Sequence, residues 1–149
     1  MPASEICNRN VVVMRQEESV TAAAGLMRRH HVGDVIVVDQ KDGFRIPVGI
    51  VTDRDIVIEV VSKGLDPESL SVGEIMAPEL ATIEGGKGLT DAIEYMRSKG
   101  VRRLPVIDER GALLGILALD DLLELLAEEL SALARLLANE RKREERTRA

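Results

Sequence analysis

A chain of 149 residues with a net charge of −6 lacks the positive surface that attracts nucleic acid or an anionic membrane. Phe44 and Tyr95 are its only aromatic side chains, so base-stacking platforms are excluded and the core must be Val, Ile, Leu, Met and Ala. A lone cysteine, Cys7, forbids an internal disulfide; with no basic-then-apolar leader and no apolar run of bilayer length, a soluble cytoplasmic protein is expected.

Val11-Val12-Val13-Met14 is the first strand candidate. Ser19 or Glu18 then opens a helix to about His30, with Val20, Ala23, Ala24 and Met27 at helical spacing. Val35–Val38 is apolar and β-branched throughout, the mark of a strand covered on both faces. Asp39–Gly43 reads as a polar turn, and Ile46–Val51 as a third strand with Pro47 near its start or at a sheet edge. Thr52 or Asp53 caps a second helix through Ser62, which Gly64 ends. Asp66-Pro67-Glu68-Ser69 is a hinge, followed by a helical turn at Val72–Met76. Leu80–Ile83 is then a strand, and Leu89–Lys99 a helix closed by Gly100. Leu104–Ile107 and Leu113–Leu117 are strands joined at Asp108–Gly111, and a helix starts at Leu119 or Asp120.

The two halves of that list are copies. Glu5–Asp39 lies over Glu74–Asp108 without a gap, at a constant offset of 69 residues (Glu5 to Glu74). Thr21, Ala23, Met27, Arg28, Val32, Val37 and Asp39 recur as Thr90, Ala92, Met96, Arg97, Val101, Val106 and Asp108. After Asp39 the first copy carries three extra residues, and Gly49 then meets Gly115 at an offset of 66. Two βαββα units that cannot each bury their own apolar face complete one another, and ligands tend to sit where such halves meet. The expected fold is α/β (α+β), with repeats at 5–64 and 74–126 about a pseudo-twofold axis, a linker at 65–73 and a helical extension at 127–149.

The segment Gly49-Ile50-Val51-Thr52-Asp53-Arg54-Asp55 stands where a strand turns into a helix. Backbone N–H groups are free there and favour an anion; a Thr hydroxyl can donate, and an ionised Asp three residues on can accept from a vicinal diol. The same residues also read as ordinary helix-start chemistry, Thr as the cap and Asp as its partner.

Two βαββα copies, each with a G-h-x-T-x-x-D-like segment entering its last helix, resemble a CBS-domain pair, or Bateman module. The resemblance covers Glu5 to about Leu126, includes Val101–Asp108, and is nearest to small bacterial proteins consisting of little besides one pair. It implies an adenosine derivative (AMP, ADP or ATP) in the cleft between copies, with Asp55 on the ribose and Thr52 on ribose or phosphate. Arg102 and Arg103 occupy the positions from which the opposite copy clamps phosphate, and their paired donors suit that task. Val12, Val13 and Ile36 would wall the base. S-adenosylmethionine, a sulfonium, fits two guanidiniums poorly.

The second cleft departs from the pattern. Asp121 keeps the aspartate of the segment Gly115–Asp121, but Ala118 replaces Thr, and Gly33-Asp34 stand where Arg102-Arg103 stand in the other copy. Asp34 is expected to repel a phosphate, so one competent cleft per chain is expected. No catalytic nucleophile has an evident base, and His30-His31, about 100° apart on a helix, form no chelating pair. Gly85-Gly86-Lys87-Gly88 lacks phosphate-loop spacing and aligns with the plain turn Gln16–Ser19.

The last helix outruns its repeat. Leu119, Leu123, Leu126, Leu130, Leu133 and Leu137 step by 4, 3, 4, 3, 4, an a/d seam. Burying each leucine is worth roughly 1.5–3 kcal/mol, so a homodimer through this helix is expected, with no nucleic-acid or membrane partner. The expected role is a regulatory sensor without catalytic activity that passes a packing change to a dimer mate or a regulated partner. The rival is a structural adaptor dimer that binds no nucleotide.

Overall fold

The computed structural model describes residues 1–148. The elements follow in order as α1 (Ala3–Ile6), β1 (Val13–Met14), α2 (Val20–His30), β2 (Asp34–Lys41), β3 (Phe44–Thr52) and α3 (Asp53–Ile56), which passes into a π-helical turn at Val57–Val61. The second half gives α4 (Val72–Ile75), β4 (Ile83–Glu84), α5 (Leu89–Lys99), β5 (Arg103–Ile107), β6 (Leu113–Ala118) and α6 (Leu119–Arg148). Each repeat makes one three-stranded sheet, β1-β2-β3 and β4-β5-β6. β1 runs parallel to β2, with Val13 against Ile36, and β3 returns antiparallel. The mixed α and β layers expected from the repeat are present, and α6 forms a separate unit that begins at Ala118. Among the described residues no helix is long and apolar enough to cross a membrane.

Most boundaries fall where local chemistry puts them. The Ser19 side chain accepts from the Ala22 N–H at 3.1 Å and caps α2. α2 ends on His31 at φ 53°, α5 on Gly100 at φ 67°, and the two positions are equivalent. His31 thus does in the left-handed region what glycine does without strain. The β2–β3 turn is tighter than the polar stretch Asp39–Gly43 suggests. Both strands run on until only Asp42 and Gly43 remain, each at positive φ, the geometry of a two-residue hairpin. Pro47 sits on edge strand β3, opposite Val38, where the register shifts. Of Val11–Met14 only Val13 and Met14 join the ladder, and the second-repeat strand begins at Ile83 rather than Leu80.

The leading segments cross over. α1 opens repeat 1 but hydrogen-bonds to repeat 2: the Ala3 N–H donates to the Lys87 carbonyl at 2.7 Å and the Ser4 N–H to the Gly85 carbonyl at 2.9 Å. Asn8 and Ile116 exchange both backbone bonds at 2.9 Å. α4 opens repeat 2 and docks on repeat 1, where the Val72 N–H donates to the Glu18 carbonyl at 2.8 Å and the Gly73 N–H to the Gln16 carbonyl at 3.0 Å. Accordingly Val72, Ile75 and Met76 share a cluster with Met14, Met27, Val35 and Val51 of repeat 1.

The glycine of each repeat motif makes this crossing possible. A Cβ on Gly49 would overlap the Met76 side chain; one on Gly115 would lie 2.6 Å from the Asn8 carbonyl oxygen and 2.7 Å from Cys7 Sγ. Met76 and Cys7 are themselves equivalent, 69 residues apart. A second cluster, Ile36 and Val38 with Leu113 and Ile116, closes the two sheets on each other, with Val13 and Ile50 at its margin.

Gly115→Ala is expected to destabilise by about 1–3 kcal/mol, since backbone rather than a flexible tip blocks the added methyl. Gly49→Ala, which meets only a methionine side chain, should cost less; urea denaturation of both variants checks the order. His31→Gly should raise stability by about 0.5–1 kcal/mol by relieving the left-handed cap, measured the same way.

Candidate functional site

Thr52 ends β3 and caps α3. Its Oγ1 accepts from the Asp55 N–H at 3.1 Å, and Asp55 Oδ2 accepts from the Thr52 N–H at 2.9 Å. This reciprocal box fixes both side chains at the strand-to-helix mouth. Each keeps capacity for more: the Thr hydroxyl still has its proton to donate, and a carboxylate has lone pairs beyond the one used here. Both residues are partly buried.

Across the ladder Thr52 is the partner of Asp34, the first residue of β2. Asp34 in turn receives Arg103, the first residue of β5, with Nε 3.0 Å from Oδ1. A Cβ at Gly33 would stand 3.1 Å from Asp53 Oδ2 and 3.6 Å from Arg103 Nη2, so both side chains border that glycine. The Asp53 N–H donates to the Gly33 carbonyl at 2.9 Å. One sheet end therefore gathers Thr52, Asp53, Asp34 and Arg103, with Asp55 one turn in.

The Asp34–Arg103 pair has a symmetry meaning. The two residues are equivalent positions of the two repeats, and equivalents can touch only at the axis that relates the copies. The Arg110 guanidinium lies 4.1 Å over the Phe44 ring. The Asp34–Arg103 contact marks the axis. Arg103 stands on it, where sequence alone set Arg103 in one cleft and Asp34 in the other. The signal was in the alignment, which already paired the two positions.

Burial is the largest influence on Asp34 and pushes its carboxyl above the ordinary value; Arg103 pulls it down by charge and hydrogen bond, and Asp53 adds to the rise. The Asp34 side chain is 19% exposed and that of Arg103 34% exposed, so the pair is half-buried and its charges are only partly screened.

The remaining expected residues are placed as follows. Arg102 is exposed and makes no ion pair among the described residues. Val12 and Val13 project to opposite faces, Val12 beside the first-repeat cluster and Val13 beside the inter-repeat cluster. Ile36 is buried within the inter-repeat cluster. Asp121 lies exposed in the first turn of α6. Asp34, Asp53 and Gly33 complete the site and were not among the residues expected to hold a ligand.

The model of the CBS domain matches residues 3–62 and again 72–128. The chain belongs to the CBS-domain family. CBS domains are regulatory nucleotide-binding modules, and adenosine nucleotides are their common ligands. An uncharacterized protein of Methanopyrus kandleri is 38% identical over 120 residues, which is 80% of this chain and 60% of the relative. The CBS chain thus spans less than two thirds of that relative's length. A crystal structure of hypoxic response protein I with two coordinated zinc ions superposes with a TM-score of 0.73 at 32% identity, covering 83% of this chain and 98% of the other. A CBS domain protein from Pyrobaculum aerophilum complexed with AMP shares the fold, with a TM-score of 0.72 at 24% identity over 81% of this chain and 89% of the other.

The sign for Asp34 follows from its raised value. Folding disfavours its charged form, so its cost is absent below the ordinary carboxylate range and grows as pH rises through the folded value. Arg103→Ala removes the compensating charge and should destabilise by about 1–2 kcal/mol at pH 7, less than for a fully buried pair. The deficit should shrink toward pH 4, as Asp34 takes up its proton. Urea denaturation at both pH values checks it; an equal deficit would assign the loss to packing of the arginine stem.

Proposed function

We propose that this CBS pair is a sensor that binds one adenosine nucleotide (AMP, ADP or ATP) per chain at the Thr52–Asp55 mouth and acts by binding, not by turnover. Asp55 accepts from the ribose diol, and the Thr52 hydroxyl donates to a ribose or phosphate oxygen. Arg103, with Arg102 beside it, meets the phosphate. Val12 or Val13 borders the base. The observation that carries this reading is the convergence on one sheet end of the capped Thr52–Asp55 pair and a guanidinium from the other repeat. A protein of the same fold holds AMP, which supports the ligand class.

Asp34 qualifies how the site works. Its carboxylate sits on Arg103, where a phosphate oxygen would. An incoming phosphate shares or takes that guanidinium, and the exchange alters a contact on the axis between repeats. Such a ligand-dependent rearrangement is what a sensor requires, since a ligand shifts a packing equilibrium only by binding one state better. The change passes to a second copy through the leucine seam of α6, or to a regulated partner.

The rival reading, a ligand-free adaptor dimer, draws on the same salt bridge: an arginine already neutralised needs no phosphate. Thermal shift with AMP, ADP, ATP, NADH and S-adenosylmethionine separates the two. At ligand a hundredfold above its Kd the gain is about 2.7 kcal/mol, a shift of several degrees for a chain of this size. Calorimetry is expected to give one site per chain, and Asp55→Asn, which keeps an acceptor for the cap, should weaken binding at least tenfold. No shift at millimolar ligand would favour the adaptor. Two equal sites, or binding indifferent to Asp55→Asn, would overturn the proposed site.

A further inference from the structure

We propose that Asp34 sets the ligand specificity of the mouth by standing in for phosphate on Arg103, so that the site reads the nucleoside and gains little from a 5′-phosphate. This rests on the nucleotide reading above and adds to it which part of the ligand is recognised, and by which residue the rest is discounted.

The stand-in is built into the framework. Asp34 is the first residue of β2, and Thr52 is its ladder partner. From that fixed position its Oδ1 lies 3.0 Å from Arg103 Nε. A carboxylate and a phosphate make the same kind of bond to a guanidinium, short and charge-assisted. An incoming phosphate therefore exchanges one such bond for another, and only the difference appears in the affinity. The competitor is also tethered. A group held on the same chain acts at an effective concentration on the order of millimolar or above, which a free ligand must outbid.

The geometry singles out Asp34 among the carboxylates of the mouth. Asp53 borders the same glycine, but it is exposed, its Oδ1 accepts from the Arg54 N–H at 2.8 Å, and it makes no ion pair with Arg103 among the described residues. Asp55 is committed to the cap, where Oδ2 accepts from the Thr52 N–H, and on the reading above its remaining capacity goes to the ribose. Asp34 alone of the three is on the guanidinium.

The contact is open to exchange. The Arg103 side chain is 34% exposed, and burial of Asp34 outweighs the pull of Arg103, so its carboxyl stays above the ordinary value even when paired. Arg54 and Arg102 are exposed, where an anion contact is screened and worth little. They do not replace a guanidinium that is already half-buried at the sheet end.

Isothermal titration calorimetry of the full chain with adenosine and with AMP tests this. In the native chain AMP is expected to bind less than tenfold more tightly than adenosine. Asp34→Asn keeps the size and removes the charge, and it is expected to raise that ratio at least tenfold. Asp53→Asn removes a neighbouring charge that does not touch Arg103 and should move the ratio less than threefold. A native ratio above tenfold, a ratio unmoved by Asp34→Asn, or an equal rise with Asp53→Asn overturns the stand-in while leaving nucleotide binding intact. The native ratio needs no variant, so it decides even where Asp34→Asn does not fold. If neither adenosine nor AMP binds the native chain, the nucleotide reading falls and the stand-in falls with it.

Discussion

Each repeat is missing a piece that the other one supplies, and two glycines decide whether it can be delivered. α1 closes repeat 2 and α4 closes repeat 1. They reach their places only because Gly49 and Gly115 leave room for Met76 and for Cys7 and Asn8. In this chain the glycine of the motif carries the architecture. The same three-residue step from Gly49 to Thr52 couples the two roles. The strand that admits the crossing arm is the strand that aims Thr52 at the mouth of α3. A failure of packing at Gly49 is therefore felt at the site.

The arms tie the halves together through backbone hydrogen bonds, and the cluster of Ile36, Val38, Leu113 and Ile116 adds apolar contact between the sheets. At one end of that interface sits Asp34–Arg103. Strict twofold symmetry would place like on like there. Divergence of the copies has replaced an identical pair by a carboxylate with a guanidinium, which attracts where two copies of either would repel.

Much of this was legible from the residues. The duplication, the element order, the cap at Ser19, the stop at Gly64 and the long last helix all have local signatures, and the fold class follows from them. The CBS resemblance rested on the same positions that the family match covers. What was not legible was non-local. Four residues of α1 show no periodicity to read, although Glu5-Ile6 repeating as Glu74-Ile75 marked both arms. Nothing in a pattern tells which sheet an arm will close, because the apolar residues of α1 and α4 suit either. The tight Asp42-Gly43 turn was hidden by flanking polar residues, Asp39 to Lys41, that lie on extended backbone beyond the covered part of β2. Arg103 was assigned to a cleft by analogy of position, whereas its partner was set by symmetry.

That last displacement bears on how a nucleotide would be sensed under the proposed reading. A guanidinium deep in one cleft would answer only to the ligand of that cleft. On the axis it answers to both halves at once, since its charge is shared between Asp34 and whatever anion arrives. The pair is half-buried, so exchanging one carboxylate for a phosphate costs far less than opening a sealed ion pair. Yet Asp34 does not vanish when Arg103 turns away. It is left beside Asp53, with less positive charge near it and a stronger preference for a proton. Relief comes from protonating Asp34, from keeping Arg103 bridged between the two anions, or from moving β2 relative to β5. Only the last changes the angle between repeats. On that reading, the carboxylate expected to repel a phosphate from the second cleft is the group that makes occupancy of the first one mechanically consequential.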